Sequence, residues 1–279
     1  MKRSVPKKRR PLIIILIIVF LILAALTVDS NVRLVTTEYE IYSDKLPESF
    51  DGLRVVQLSD LHGDKYGRDN SKLYEAVIAA KPDIIALTGD LFDEYTDPDY
   101  AVTTCRELLK IAPVYYVSGN HEWAKNPRDT FSNMREVCVN VLRNDYVILE
   151  QDGESIVLAG VDDPNGPYDM ISREDFVSEI RSETDDYILM LCHRNSEFDT
   201  WVDLNVDLVL SGHAHGGIIR LPGIGGLLIH RDDFRSKRVE GTFTKGDTTM
   251  VVSRGAGGNG FIPRFYNNPE IVVVVLRSN

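Results

Sequence analysis

The stretch Asp207-Leu208-Val209-Leu210-Ser211-Gly212-His213-Ala214-His215-Gly216-Gly217 joins an apolar run to a loop with two histidines. A short run of branched apolar residues that ends at glycine is typical of a buried strand, and the glycines allow a sharp turn. With one residue between them, His213 and His215 can direct both imidazoles into one site. Imidazole is the commonest protein ligand for transition metals. Taken alone, the pattern fits two polar loop histidines equally well.

Four more predicted strands end in polar residues. These strands cover residues 53–58, 83–87, 114–117 and 187–191. The residues that follow or end them are Asp60, His62, Asp90, Asn120, His121 and His193. Five of the six histidines therefore lie at strand ends, and only His230 does not. Because ligands of α/β sheets bind beyond the carboxyl ends of strands, the pattern predicts one shared site.

Helical patterns alternate with these strands. Apolar spacing predicts helices over residues 70–80 and 100–111. It predicts a further helix marked by Phe131, Met134, Cys138 and Val141. The stretch Ser172-Arg173-Glu174-Asp175 resembles a capping box at the start of another helix. Further strands are predicted over residues 35–42, 156–161, 249–253 and 271–276. The alternation indicates a layered α/β fold.

The candidate site combines carboxylates, imidazoles and one neutral amide oxygen. This donor set suits borderline divalent cations such as Mn²⁺, Fe²⁺ or Zn²⁺. The ligands outnumber what one tetrahedral ion needs, but two ions about 3.5–4 Å apart would use them all. Such a pair can lower the pKa of a bridging water and hold both oxygens of an in-line displacement at phosphorus.

Five short motifs carry a resemblance to a known family. They are Asp60-x-His62, Gly89-Asp90-x-x-Asp93, Gly119-Asn120-His121-Glu122, the strand-end His193, and Gly212-His213-x-His215. In this order, over about residues 53–217, they resemble the calcineurin-like metallophosphoesterase superfamily. The resemblance implies a four-layer α/β/β/α sandwich of two mixed sheets flanked by helices. It also implies two divalent ions, with Mn²⁺ favoured over Fe²⁺ and Zn²⁺.

The resemblance further implies a role for each residue. Asp60, His62 and His215 would hold one ion, Asp90 would bridge, and Asn120, His193 and His213 would hold the second. His121 resembles the non-ligand histidine that contacts the phosphate and protonates the leaving oxygen, and Asp93 resembles the acid that orients it. A carboxylate that fixes the imidazole tautomer suits this task. The implied reaction is attack of metal-bound hydroxide on phosphorus. Glu122 is expected to bond loop backbone.

The N-terminal segment predicts a membrane anchor. Leu12–Val28 is an uncharged apolar run, long enough to span a bilayer with little tilt. A cleavable signal peptide is the competing interpretation, but no clear A-x-A site follows. The preceding basic cluster places the N-terminus in the cytoplasm by the positive-inside rule. The predicted organisation is an anchor over residues 1–30 and an extracytoplasmic catalytic domain over residues 31–279.

The anchor and the motifs Gly212–Pro222 and Ser253–Gly257 resemble the membrane-anchored bacterial phosphodiesterase branch. This implies a phosphodiester substrate, for which a phospholipid or lipid-linked compound is a candidate. An outward-facing domain disfavours a cytoplasmic nucleotide-linked lipid, and the sequence leaves that conflict open. A surface phosphomonoesterase is the alternative enzyme. A non-catalytic scaffold that binds a protein partner should have lost ligands, whereas this chain has lost none.

Charge and the remaining polar residues restrict the partners. The net charge is −11, although the first ten residues carry six basic side chains and no acid. An acidic body argues against a nucleic-acid binder. Among several arginines, Arg264 is favoured to bind substrate phosphate because it follows a glycine-rich loop. Cys105, Cys138 and Cys192 are expected to be small buried thiols. The sequence identifies no protein partner.

Overall fold

Two six-stranded mixed sheets form the centre of the molecule in the computed structural model, which describes residues 10–124, 128–227, 238–258 and 262–279. The first sheet has the spatial order β1 (Val35–Ser43), β14 (Glu270–Ser278), β2 (Arg54–Leu58), β3 (Ile84–Thr88), β4 (Val114–Val117) and β5 (Asn140–Val141). The second has the order β12 (Gly241–Lys245), β13 (Thr248–Val252), β9 (Leu208–Gly212), β8 (Tyr187–Arg194), β7 (Glu154–Gly160) and β6 (Asp145–Gln151). A small hairpin pairs β10 (Arg220–Leu221) with β11 (Gly225–Gly226).

Helices cover the outer face of each sheet, whereas α1 (Arg10–Val32) stands apart from both sheets. The other α-helices of the described residues are α2 (Ser71–Ala80), α3 (Pro98–Leu108), α4 (Asn120–Ala124), α5 (Arg128–Glu136), α6 (Arg173–Glu183) and α7 (Phe198–Asp203). Side chains of α2, α3 and α5 pack on the first sheet, and those of α6 and α7 pack on the second. The four-layer α/β/β/α architecture expected from the resemblance is therefore confirmed.

A continuous apolar layer joins the two sheets. Val55, Ile84 and Val274 of the first sheet meet Leu189 and Leu210 of the second. Full burial of each such side chain contributes about 1.5–3 kcal/mol. Because the central parallel strands are covered on both faces, they are apolar almost throughout. Their polar residues are displaced to the strand ends, where the candidate site lies.

The structure corrects the predicted helix that was marked by Phe131 and Val141. The helix ends at Glu136, because Cys138 adopts a left-handed backbone with φ 71°. Val141 lies in β5 instead. Cys105 and Cys192 are buried as expected, but Cys138 is exposed, so that expectation is wrong for Cys138.

The N-terminal apolar run forms one helix that stands apart from the core. The span Pro11–Val32 is long and apolar enough to cross a membrane, and none of its most apolar window is buried inside the molecule. A helix that is apolar all round and uncovered by protein is typical of a membrane span. It ends two residues beyond the predicted boundary at residue 30, and only Arg33 and Leu34 separate it from β1. Residues 1–9 and His230 lie outside the described residues.

Candidate metal centre

Both sheets contribute polar side chains to one cluster at their strand ends. Loops after β2, β3 and β4 of the first sheet supply Asp60, His62, Asp90 and Asn120. The end of β8 and the loop after β9 supply His193, His213 and His215 from the second sheet. The two carboxylates and these three histidines are at most 5% exposed. All seven residues that the sequence nominated as ligands are thus drawn toward one place.

Six of these residues fall into two groups whose potential ligand atoms lie within 4.8 Å of one another. The groups are Asp60, His62 and His215, and Asp90, His193 and His213. In the first group, His215 Nε2 lies 3.3 Å from His62 Nε2 and 3.5 Å from Asp60 Oδ1. In the second, His193 Nε2 lies 3.2 Å from Asp90 Oδ2. Each of these two groups mixes side chains from both sheets, whereas a third group of His62, Asp90 and His121 belongs to the first sheet alone.

Asp90 lies between the two groups. Its Oδ2 atom is 3.2 Å from His193 Nε2 and 3.6 Å from His62 Nε2. The amide oxygen of Asn120 lies 3.2 Å from His193 Nε2 and adds a neutral donor to that side. A carboxylate in this position can serve two cations at once.

The hydrogen bonding of His193 tests whether the cluster suits a cation. Its Nδ1 lies 2.9 Å from the carbonyl oxygen of Thr88, so this nitrogen carries hydrogen and donates it. Its Nε2 then faces three potential acceptors: Asp90 Oδ2, Asn120 Oδ1 and His213 Nδ1, each 3.2 Å away. Lone pairs that converge in this way need a proton or a cation among them. The donor set fits a borderline divalent cation. A histidine that binds a metal through one ring nitrogen usually donates a hydrogen bond from the other, as His193 does to the carbonyl oxygen of Thr88.

Charge at the centre follows from burial and from these neighbours. Burial opposes ionisation of Asp90, yet His193 and His62 hold the pKa of its carboxyl well below its usual range. Burial likewise opposes protonation of His193, but Asp90 and Asp60 raise its pKa to about 10. A divalent cation that binds His193 would therefore displace a proton.

Backbone conformation aims the ligands. Asp60, His62, Asp90, His213 and His215 all have positive φ, between 47° and 68°. Non-glycine residues rarely adopt this conformation, and such strain concentrates at functional sites. Five of the seven nominated ligands share it. The sharp turns at the strand ends therefore direct consecutive polar side chains back into the cluster.

Glu122 fixes the loops around Asp90. Its buried carboxylate accepts hydrogen bonds from the backbone N–H groups of Asp90, Leu91 and Gly119, at 2.7–3.0 Å. The expectation that Glu122 bonds loop backbone is confirmed. Burial and the adjacent Asp90 raise the pKa of Glu122 to about 8.

The expected partner of His121 differs in the structure. Glu94 Oε2 lies 3.3 Å from His121 Nδ1. Asp93 instead has its Oδ2 atom 3.9 Å from His62 Nδ1, and its Oδ1 atom accepts from the Thr96 hydroxyl. Glu94 is therefore placed to orient His121, whereas Asp93 lies near His62 at a distance too long for a hydrogen bond. The two acids are adjacent in sequence, and the direction of each side chain decides which histidine it reaches.

Arg264 lies buried beside the cluster. It is only 2% exposed, and its guanidinium donates to the carbonyl oxygens of Arg254, Gly255 and Gly257. One of its nitrogens lies 3.4 Å from His215 Nδ1. These contacts hold the 254–257 loop against the candidate metal centre, and the expectation that Arg264 binds substrate phosphate stays a prediction.

Two cavities border different members of the cluster. A cavity of about 410 Å³ is bordered by Asn120, His213 and Arg194. Another, of about 310 Å³, is bordered by His62 and Tyr95. Arg194 pairs with Asp163 at 2.7 Å at the wall of the larger cavity. Arg194 therefore borders a cavity at the cluster.

Comparison with known proteins identifies a family and several similar chains. Residues 53–217 match the calcineurin-like phosphoesterase family. The chain is 30% identical over 251 residues to "Uncharacterized metallophosphoesterase YkuE" of Bacillus subtilis, covering 87% of this chain and 85% of that protein. It is 27% identical to the "Transmembrane protein with metallophosphoesterase domain" of Bos taurus, covering 87% of this chain and 57% of that protein. Among solved structures, the NAD nucleotidase (NadN) of Haemophilus influenzae aligns with a TM-score of 0.48 at 16% identity, over 73% of this chain and 45% of that one.

Proposed function

Because the chain belongs to the calcineurin-like phosphoesterase family, we propose that it hydrolyses phosphodiesters with two divalent cations while α1 anchors it in a membrane. Family membership makes it a metal-dependent phosphoric ester hydrolase. The single observation that carries the proposal is the position of Asp90. Its carboxylate reaches both His62 and His193, so two cations would share it.

The ligands divide between the two cations as the resemblance implies. Asp60, His62 and His215 would hold one, Asn120, His193 and His213 the other, and Asp90 both. When bound, the cations supply charge neutralisation of the phosphate and an activated water. Mn²⁺ is the favoured metal, with Fe²⁺ and Zn²⁺ as alternatives, because this mixed donor set suits borderline ions.

The protein's own groups complete the reaction. His121 stands beside His62 with ring centroids 4.8 Å apart, and part of its side chain is open to solvent. From there it can donate a proton to the leaving oxygen. Glu94 fixes the orientation of its ring. Arg194 can meet a substituent or oxygen of the phosphate that enters the larger cavity.

The two cavities support a diester over a monoester. A phosphodiester carries a substituent on each side of phosphorus, whereas a monoester carries one. One cavity borders His62 and the other borders Asn120 and His213, so each of the two ligand groups borders a cavity with room for a substituent. A surface phosphomonoesterase remains the alternative enzyme.

The apolar helix supports anchoring. One relative bears the name of a transmembrane protein with a metallophosphoesterase domain, and α1 is long and apolar enough to span a bilayer. In this proposal the N-terminus is cytoplasmic and the catalytic domain extracytoplasmic. A substrate in or near the membrane, such as a phospholipid or another lipid-linked diester, fits an anchored enzyme.

Turnover of two chromogenic substrates tests the proposal. We would strip the detergent-solubilised full chain of metal, reload it with Mn²⁺, Fe²⁺ or Zn²⁺, and compare kcat/KM for bis(p-nitrophenyl) phosphate and p-nitrophenyl phosphate. We expect activity only after reloading, and a higher value for the diester. A higher value for the monoester would favour the phosphomonoesterase. No turnover with any metal would reject the enzymatic function and favour a binding scaffold.

A further inference from the structure

The end of α1 is bonded directly to the globular body. The side chain of Asn31 donates to the carbonyl oxygen of Arg264 at 2.8 Å and accepts from its backbone N–H at 3.0 Å. The backbone N–H of Asn267 donates to Ser30 Oγ at 3.3 Å, and the Asn268 amide donates to the Asp29 carbonyl at 2.9 Å. Ser30 is buried in this junction. The helix therefore meets the body at a fixed joint.

The same segment holds the metal-ligand loop. The side-chain amide of Asn267 donates to the carbonyl oxygens of His215 and Ile218, at 2.7 and 3.2 Å. The backbone N–H of Phe265 donates to Ile218, and the N–H of Arg220 donates to Phe265, at 3.2 and 2.9 Å. A single residue, Asn267, thus bonds the last turn of α1 on one side and a ligand residue on the other.

Exposed apolar side chains lie on the segments that form this joint or are bonded to it. Ile262 and Tyr266 flank Arg264 in sequence and are 40% and 49% exposed. The hairpin that follows the ligand loop adds Leu221, Ile224 and Leu227, which are 36%, 70% and 46% exposed. We call these five side chains the apolar rim. Backbone hydrogen bonds connect the hairpin to the joint, because the N–H of Leu227 donates to Ile219 and Ile219 pairs with Phe265.

We propose that the apolar rim rests in the interfacial layer of the same bilayer that α1 spans, and so holds the metal centre at the membrane surface. This inference depends on the proposed anchoring by α1. Single exposed apolar residues are ordinary, but a group of them marks a contact surface. A spanning helix brings its end to the water–lipid boundary, and with only Arg33 and Leu34 before β1 no linker can lift the body away. Tyrosine is enriched at that boundary.

The placement narrows the substrate class. The ligand loop ends where the hairpin of the rim begins, so the cluster lies within a few residues of the proposed lipid contact. A phosphoester held at the membrane surface, with its phosphate in the headgroup layer, would reach the metals without leaving the bilayer.

Site-specific fluorescence in vesicles tests the rim. In a Cys138→Ser background, which removes the exposed thiol, we would label Ile224→Cys with the environment-sensitive dye NBD. The full chain would be reconstituted into vesicles of phosphatidylcholine and phosphatidylglycerol, with and without lipids that carry a nitroxide near the headgroup. The matched control is Ile148→Cys, an exposed isoleucine on β6. Ile148 is not part of the apolar rim, and its strand forms the edge of the second sheet opposite to β12.

We expect the label at position 224 to emit at shorter wavelength than the label at 148 and to lose emission to the nitroxide lipids. Equal emission and equal quenching at the two positions would overturn the rim. A short-wavelength emission at 224 without lipid quenching would also overturn it and indicate a protein partner or a second copy of the chain. Flotation of the vesicles and hydrolysis of bis(p-nitrophenyl) phosphate are measured on the same samples. Absence of flotation or of hydrolysis contradicts the proposed function. Flotation and hydrolysis without the expected emission and quenching at position 224 contradict only the lipid contact of the rim.

Discussion

Polar groups connect the two sheets at several places, and two of these differ in how their charge is balanced. At the first, the metal centre, Asp60 and Asp90 lie among histidines from the other sheet. At the second, Asp162, which follows β7, accepts from the Ser118 hydroxyl at 2.8 Å and from Arg143 at 2.9 Å. We call this second place the Asp162 joint. Ser118 and Arg143 follow β4 and β5, so this joint also crosses between sheets.

The difference shows where bound cations would be needed to balance buried negative charge. The Asp162 joint carries its own arginine, and the burial that raises the pKa of Asp162 is opposed by that charge. The metal centre relies instead on protonated histidine to balance Asp90. Divalent cations would take over that balance and would bind residues of both sheets at once. We therefore expect the metal centre to fasten the sheets together only when it is loaded.

The largest expected effect comes from breaking the metal centre at the residue shared by both groups. Asp90→Asn should lower kcat/KM for the diester by about a thousandfold, since loss of the shared carboxylate removes about 4 kcal/mol of charge stabilisation. The matched control is Asp152→Asn, because Asp152 has nearly the same φ, 51° against 52°, in an exposed turn. Comparable losses in both variants would contradict the role of Asp90.

Removal of metal should lower the free energy of unfolding, because the bound cations would connect residues of both sheets. A ligand present at about a thousand times its Kd stabilises the folded state by about 4 kcal/mol. We expect a metal-chelated chain to lose free energy of unfolding of this size, measured with denaturant, and to regain it with Mn²⁺. Asp90→Asn should show a much smaller difference between chelated and loaded states. An equal gain in that variant would place the stabilising cations elsewhere.

Breaking the Asp162 joint should affect stability more than chemistry. Arg143→Met removes the ion-pair partner of the buried Asp162 carboxylate, which costs about 3 kcal/mol in the free energy of unfolding. The matched control, Arg68→Met, removes an arginine that is 95% exposed and should change little.

The pH dependence of the Arg143→Met penalty follows from the pKa of Asp162. Burial already raises this pKa, and loss of the arginine raises it further. The folded state then holds a proton more tightly than the unfolded state, so the variant gains relative stability as pH falls. The penalty should be greatest at neutral pH and shrink in acid, as denaturant titrations at several pH values would show. A penalty that grows in acid would contradict the charge argument.

The smallest expected effect separates the two neighbouring acids at the metal centre. Glu94→Gln should lower kcat by about tenfold by releasing the ring of His121. The same kind of change in Asp93→Asn should instead raise the Mn²⁺ concentration needed for half activity, because Asp93 faces a ligand. The assignment would be reversed if the two variants exchanged these effects.

The strands and the ligand cluster could be predicted because both depend on local patterns. A buried strand needs an apolar run, and the residues after it carry the polar groups. β6 escaped prediction because its side chains are mostly half-buried or exposed, which leaves the apolar signal weak. β12 escaped for the same reason. Neither strand positions a ligand, so the site prediction did not depend on them.

Side-chain direction and tertiary burial could not be predicted from spacing. Asp93 and Glu94 are equivalent candidates in sequence, and only the loop geometry sends them to different histidines. Arg264 follows a glycine-rich loop, as a phosphate-binding arginine would, but the loop carbonyls fold around its guanidinium. The pairing of Arg143 with Asp162 joins two sheets and leaves no trace in local pattern.

The two-residue connection between α1 and β1 also limits where such an enzyme can work. A catalytic domain on a long tether can sweep a wide volume around its anchor and can be shed by a protease that cuts the tether. The connection in this chain is too short to give the catalytic domain a wide range of movement or a long protease-sensitive linker. With α1 in a membrane as proposed, the encounters of the domain would be set by lateral diffusion in two dimensions, and only two residues between α1 and β1 would be open to a releasing cut outside a helix or strand.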